Sequence, residues 1–402
     1  MKHILALLLL VTGSCLGQTK LSDRAEISVV TFGPGQQYVF TAFGHSAFRV
    51  NDPVAGIDNA YNYGVFDFDQ PNFYLNFARG YLYYQLGVGP YPDFEYHYIY
   101  FNRYVHEQKL NLTAKQKQRL FDYLEWNRRP ENKFYRYDYF YDNCATKMPD
   151  ILSTVFGDTV RFEGSHIKTD YTIRELTDLY LKHQPWGDLG IDICLGLPMD
   201  KTASPYEYMF LPDYVEAGFA NATVLKYGTT EPLVKERISV YESRPEDPPR
   251  TLMHPLAVFS IVFLLLSLLS YRDIRRNRLT NIVDIIFFST LGLLGILLLM
   301  LWWFTDHHAA ARNLNLLWAL PTHLVAVIAF AKKPRWLSGY FLAIAIVSLL
   351  LLLSWPILPQ KLHYALIPLV MAIGMRSYTQ YWVRKQELSQ EMTTPAPGLT
   401  ER

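Results

Sequence analysis

Two short runs of the 402-residue sequence carry the side chains best suited to nucleophilic chemistry. One is Phe43-Gly44-His45-Ser46-Ala47-Phe48-Arg49-Val50, where an imidazole follows a glycine at the entrance of an apolar run. The other is Tyr141-Asp142-Asn143-Cys144-Ala145-Thr146-Lys147, which puts a thiol at an expected strand-to-helix junction. The thiolate is the nucleophile, and a helix N-terminus favours it through unpaired N–H groups and the positive end of the dipole. A nearby imidazole favours it further, and the same N–H groups can hold the oxyanion formed when sulfur attacks an acyl carbon. Residue type alone leaves this open. A lone cysteine is commonly a small buried hydrophobe, and a lone histidine a satisfied polar residue. Cys194 adds a competing reading, a Cys144–Cys194 bridge in an oxidising compartment.

The two segments must be positioned by the elements around them. Runs 27–32, 38–41, 46–50, 81–88, 95–101, 105–112 and 134–141 are short and β-branched or aromatic, punctuated by Gly, Pro and Asn, and predict strands. Thr113 is a good N-cap for a helix over 114–127, whose apolar face is marked by Leu120, Phe121 and Leu124. Further helices are expected from Cys144 onward and over 174–181. The class is α+β, a mostly antiparallel sheet with helices packed on it.

Composition bounds the partners. Lys+Arg 38 against Asp+Glu 37 excludes a strongly basic nucleic-acid binder, and the 15% aromatic content argues against disorder. Three cysteines (Cys15, Cys144, Cys194) exclude a disulfide framework. Residues 1–17 have the charged-then-apolar form of an export signal, with cleavage before Gln18 or lipidation at Cys15 as alternatives. The exported domain then covers 18–240, a Pro-rich, charged tether 241–251, and a membrane domain 252–385, before a cytoplasmic tail 386–402. Apolar segments lie near 252–271, 282–305, 313–331, 336–355 and 362–382, the last interrupted by Pro368 and Arg376. Arg272, Arg275, Arg276 and Arg278 fill the first connecting loop, and Lys332, Lys333 and Arg335 the third. By the positive-inside rule these loops are cytoplasmic, so 18–250 lies outside and the C-terminus is cytoplasmic.

The order His45 before Cys144 resembles the circularly permuted branch of the papain-like NlpC/P60 and lecithin-retinol-acyltransferase-like thiol enzymes. The sequence is more closely similar to the Lnb-type lipoprotein N-acyltransferases, whose exported thiol domain precedes a five-helix membrane domain. The matching residues are Thr31-Phe32-Gly33-Pro34-Gly35, Phe43-Gly44-His45-Ser46, Tyr61-Asn62-Tyr63-Gly64 with Phe66-Asp67-Phe68, Asp142-Asn143-Cys144 and Met209-Phe210-Leu211-Pro212. In the membrane half, Asn313-Leu314-Asn315-Leu316-Leu317-Trp318, Pro321 and His323 match.

This resemblance implies N-acylation of the lipid-modified N-terminal cysteine of lipoproteins in the bacterial inner membrane, with no cofactor or metal. The partners would be an acyl-donor lipid or lipoprotein ester and diacylated lipoproteins as acceptors. Cys144 would be the nucleophile, forming a thioester, and His45 its base. Asn62 is the choice for the orienting group, with a turn or ladder role as its alternative. Ser46 and Asn143 are candidate oxyanion donors, with capping or strand roles as theirs. By the loop charges, His307, His308, Asn313 and Asn315 are expected in an outer loop where they could meet a lipid headgroup, with a plain polar loop as the alternative. His323, a polar group inside an apolar segment, joins them as a lipid-site candidate, with helix packing as its alternative. The competing functions are a membrane-tethered cysteine peptidase or amidase acting on cell-wall peptides, and a non-enzymatic envelope scaffold.

Overall fold

The sheet of the N-terminal half is built by strands whose alternate residues serve two different cores. The computed structural model describes residues 19–245 and 251–393. The expected leader with Cys15, part of the tether and the end of the tail lie outside the described residues. In chain order come β1 (Glu26–Phe32), β2 (His45–Asp52), β3 (Ile57–Val65), α1 (Phe73–Arg79), β4 (Tyr83–Pro90) and α2 (Tyr91–Tyr100). They are followed by β5 (Val105–Leu110), α3 (Ala114–Asn127), β6 (Phe134–Arg136), α4 (Lys147–Phe156) and β7 (Val160–Arg161). Helices α5 (Ile173–Leu181), α6 (Pro185–Cys194) and α7 (Pro212–Ala220) precede β8 (Thr223–Lys226), β9 (Thr229–Pro232) and β10 (Val234–Tyr241).

Seven strands form an antiparallel sheet in the order β10-β5-β1-β2-β3-β4-β6, and β7-β8-β9 form a small second sheet. Ile27, Val29, Phe48, Val50, Tyr61 and Tyr63 point to one face, where Leu120 and Leu124 of α3 and Met148 and Leu152 of α4 cover them. Val30, Phe32, Ala47 and Ala60 point to the other, under Tyr91 and Tyr98 of α2. Each such buried large side chain stabilises the fold by about 1.5–3 kcal/mol. The expected α+β class is the one observed.

Four element expectations are corrected. Run 38–41 is a single 3-10 turn, closed by the Thr41 hydroxyl donating to the carbonyls of Gly35 and Tyr38. Run 95–101 is not a strand but most of α2, because Tyr91, Phe94 and Tyr98 recur at helical spacing and pack as one stripe on the sheet. The strand in 134–141 stops at Arg136, and the helix expected from Cys144 starts at Lys147.

The C-terminal half holds α8 (Pro255–Arg276), α9 (Asn281–Trp303), α10 (Thr322–Ala329), α11 (Trp336–Ser354) and α12 (Ile367–Thr393). Among the described residues three helices are long and apolar enough to cross a membrane: Pro255–Arg276, Asn281–Trp303 and Trp336–Ile357. The segment 313–331 departs from the expected single span. Asn313 caps a 3-10 turn over Leu314–Leu317, Pro321 precedes α10, and only eight residues of helix follow. Conversely, α12 runs through the two residues expected to interrupt it. Pro368 falls in the first turn, where its missing N–H is harmless, and Arg376 is buried between Asp273 of α8 and Asp284 of α9.

Candidate active site

Cys144 and His45 meet where the sheet opens. The β2–β3 ladder ends at Phe48 opposite Tyr61, and beyond it β3 is irregular between Asn62 and Val65. Gly64 makes that irregularity possible. It has φ +88°, and a Cβ there would lie 3.6 Å from the Cys144 Cβ and 3.4 Å from the Tyr137 ring. Gly44 plays the matching part before His45. At φ +76°, a side chain would strike the Phe32 carbonyl 2.6 Å away, so only glycine lets the strand begin at His45.

Cys144 sits in the turn before α4, held by its neighbour. Asn143 Oδ1 accepts from the N–H groups of Ala145 and Thr146, while its Nδ2 donates to the carbonyls of Tyr139 and Phe210. The Asn143 side chain, expected among the oxyanion donors, is therefore wholly engaged with backbone and acts by positioning the turn. The free N–H groups expected at the helix start are partly taken up in this way. The sulfur instead accepts from its own N–H and from the N–H of Ser46. The Ser46 hydroxyl is buried in the core, without a partner among the described residues. What Ser46 offers the site is its backbone.

The half-buried thiol is hydrogen-bonded to the His45 ring, and His45 Nε2 lies 2.6 Å from Asn62 Oδ1. Asn62 Oδ1 can only accept, so Nε2 carries a proton and Nδ1 is the ring nitrogen left for sulfur. Burial alone would raise the Cys144 pKa. The His45 charge and hydrogen bond, with the two N–H donors, outweigh it and hold the thiol below its ordinary range. Burial would likewise depress His45, but the Cys144 charge, its hydrogen bond and Asn62 raise it, with Arg103 opposing. The two shifts favour a thiolate–imidazolium pair. Cys194 is also a free thiol, so the alternative bridge to Cys144 is not formed, and burial pushes its pKa up. It is the inert one of the pair.

An aromatic wall that the sequence analysis missed supports the imidazole. Tyr98 stacks parallel to His45 at 6.2 Å and on Phe32 at 4.1 Å, with Phe94 at 5.9 Å from His45. Its signal was present in the spacing of Tyr91, Phe94 and Tyr98, obscured by a strand assignment.

The lipid-site candidates are distributed differently from expectation. Asn313 and Asn315 donate their amides to the carbonyls of Asp192, Ile193 and Cys194 at the end of α6, and Gln360 donates to Leu195. Orphan carbonyls at a helix C-terminus need such donors, so these asparagines dock the two domains together and have no amide hydrogen left for a headgroup. His323 is buried with both ring nitrogens occupied, by the Tyr340 hydroxyl and the Trp318 carbonyl, which is the packing role. His307 bonds Thr305, and His308 is exposed beside Asp306. This loop abuts the N-terminal domain: Asp306 pairs with Arg136, and its N–H donates to the Arg79 carbonyl. His307 also feels the charge of Asp138, in the turn leading to Cys144.

Replacing Asn62 with alanine tests the orienting contact. The reactive pair exists above the lowered Cys144 pKa and is lost above the raised His45 pKa, giving a bell-shaped rate profile. Without Asn62 the imidazolium loses an acceptor, so the alkaline limb moves to lower pH and kcat falls by about tenfold or more. A pH–rate profile of the variant checks both; a merely structural asparagine would leave the limb in place.

Comparison with known proteins adds identity to this geometry. Residues 18–178 match the model of the Lnb N-terminal periplasmic domain, and residues 247–388 match that of the Lnb transmembrane domain. No curated protein and no solved structure matches the chain. The two matches follow one another in the order in which the sheet domain and the apolar helices do, and together they take in both halves of the molecule. The chain thus belongs to the family of Lnb-type lipoprotein N-acyltransferases, as a membrane protein with a periplasmic N-terminal domain.

Proposed function

We propose that the chain N-acylates the lipid-modified N-terminal cysteine of lipoproteins through a thioester on Cys144. The observation that carries this reading is the hydrogen-bonded series Cys144–His45–Asn62, in which the thiol is depressed and the imidazole raised. The Cys144 thiolate attacks the carbonyl carbon of a lipid ester, and the N–H groups of Ser46 and Cys144 hold the oxyanion. As the tetrahedral adduct collapses, the ester C–O bond breaks and the His45 proton passes to the leaving alkoxide. His45, now neutral, takes a proton from the α-amine of a diacylated lipoprotein as it attacks the thioester. The C–S bond breaks, an amide forms, and the thiolate returns. An amide is less reactive than a thioester, so the second half runs downhill, provided water is kept from the intermediate.

Position supports a lipid donor. The loops after α9 and between α11 and α12 touch the N-terminal domain, through Arg136–Asp306 and Gln360–Leu195. They are the loops that the charge pattern assigns to the outer face, which leaves the C-terminus in the cytoplasm. The His-before-Cys order on an antiparallel sheet supports a permuted papain-like arrangement, and the five helices α8–α12 a five-helix membrane domain.

Deletion of the gene separates the readings. The N-terminal peptide of a lipoprotein is expected to lose one fatty-acyl mass by mass spectrometry. Unchanged lipoproteins with altered wall fragments would instead identify a peptidase, and neither change a scaffold.

A further inference from the structure

One cation near the reactive pair is left without a counter-charge. Arg103 is half-buried, and among the described residues its guanidinium makes no ion pair and no side-chain hydrogen bond. In the N-terminal domain the other arginines of low exposure are answered, Arg49 by Asp58 and Glu107 and Arg174 by Asp192 and Asp200, as is Arg376 in the membrane half by Asp273 and Asp284, whereas the buried Arg384 there bonds Gln380 and lies over Phe330. Arg103 has aromatic faces instead. Its Cζ lies 5.7 Å from the centroid of Tyr98 and 5.9 Å from that of Phe101. The Tyr98 ring is the one that stacks on His45, so guanidinium and imidazole flank a single ring. A half-buried charge with no partner is unfavourable, and the planar fork of Arg is well matched to phosphate oxygens.

Its surroundings point toward the lipid. The guanidinium rests on Gly35, where a Cβ would approach its Nε to 2.7 Å. The same loop continues to Tyr38 and Phe40, which stack on each other and are exposed. Val39 packs against Gly187, next to Trp186. Trp186 in turn donates to the Met253 carbonyl and meets Phe259 at the entry of α8 into its apolar stretch. An unbroken path of contacts thus joins Arg103 to the start of a membrane-spanning helix.

We propose that Arg103 binds the phosphodiester of a glycerophospholipid acyl donor, holding the headgroup so that its ester reaches Cys144 beside His45. The inference rests on the acyl-transfer reading and makes it specific. In a glycerophospholipid the ester carbonyl and the phosphate are joined through one short glycerol backbone, so two groups flanking one aromatic ring can serve both. A neutral diacylglyceryl ester, such as the lipoprotein's own, offers the guanidinium nothing comparable.

The full chain in detergent micelles, offered phosphatidylglycerol or a soluble p-nitrophenyl ester of the same fatty acid, tests this by quantifying acylated Cys144 peptide after an acid quench. In wild type both donors are expected to acylate Cys144. In Arg103→Ala the ratio of phospholipid to p-nitrophenyl rates falls about 10- to 100-fold, the loss of one charge-assisted contact, with partial recovery in Arg103→Lys. An unchanged ratio, or a wild-type enzyme that takes diacylglycerol as readily as phosphatidylglycerol, overturns the assignment of Arg103 while leaving acyl transfer standing. Wild type that forms acyl-Cys144 from neither ester overturns the acyl-transfer reading itself.

Discussion

Cys144→Ser is expected to lower lipoprotein N-acylation by about 10³-fold or more while the protein remains folded. The exchange is nearly isosteric at a half-buried position, so Asn143 still holds the turn and the core around α4 is undisturbed. What changes is ionisation. The His45 charge and the N–H groups of Ser46 and Cys144 are enough to depress a thiol, whose ordinary pKa is near neutrality's alkaline side, but a hydroxyl lies too far above it. The reactive pair then never forms at neutral pH. Reconstitution in vesicles with a synthetic diacylated lipopeptide, read by mass spectrometry, measures the loss. Retained activity in Cys144→Ser would remove Cys144 from the chemistry and with it the thioester. Cys194→Ser is the control, because burial alone shifts that half-buried thiol, upward, and its loss should leave the rate alone.

The second large effect concerns the joint between the domains. Arg174→Ala is expected to destabilise the protein by about 3–5 kcal/mol, the range for removing one partner of a buried ion pair. Arg174 is fully buried on α5, with Nε and Nη2 on Asp200 and Nη1 on the carboxylate and carbonyl of Asp192. Its Nη2 also donates to the carbonyls of Leu195 and Gly196. Those carbonyls belong to the chain end of α6 that Asn313, Asn315 and Gln360 grip from the membrane side. Alanine leaves two buried carboxylates uncompensated at the point where the N-terminal domain is seated. Thermal unfolding in detergent reports the loss, and limited proteolysis between the domains reports the loosened seat. A variant that unfolds at the wild-type temperature would show that the network contributes no net stability.

The two predictions differ in how far the sequence anticipates them. Cys144 and His45 are legible because their chemistry is local in kind: a thiol before a helix, an imidazole after a glycine. Asn62 follows from its place in the strand after His45, and it does accept from that ring. Arg174 carries no such mark. An arginine in a run such as Ile173-Arg174-Glu175-Leu176 reads as a solvated helix residue until carboxylates from two later segments close on it. The same holds for Asn313, Asn315 and His323. Their types suggest ligand binding, but their amide and ring groups are consumed by carbonyls and a hydroxyl supplied from elsewhere in the chain. Tyr98 and Arg103 were obscured for a different reason. Aromatic content favours a strand locally, and the helical spacing that places Tyr98 against His45 acts only once the sheet is there to receive it.

By itself the sequence determined the division into a sheet-forming half and an apolar helical half and the side of the membrane each loop favours, and it singled out Cys144 and His45 as the candidate nucleophile and base. These follow from side-chain periodicity, charge counts and intrinsic reactivity, none of which needs a neighbour distant in the chain. Tertiary structure alone decided that β2 and β3 part beyond the Phe48–Tyr61 pair, that the β3–β4 ladder is irregular around Gly64 beside Cys144, and that N–H groups of the turn before α4 are partly taken by Asn143. It also decided which buried charges are matched and that the half-buried Arg103 has no carboxylate partner among the described residues. A polar group's role depends on the partner that reaches it, and that partner is set by how segments far apart in sequence pack.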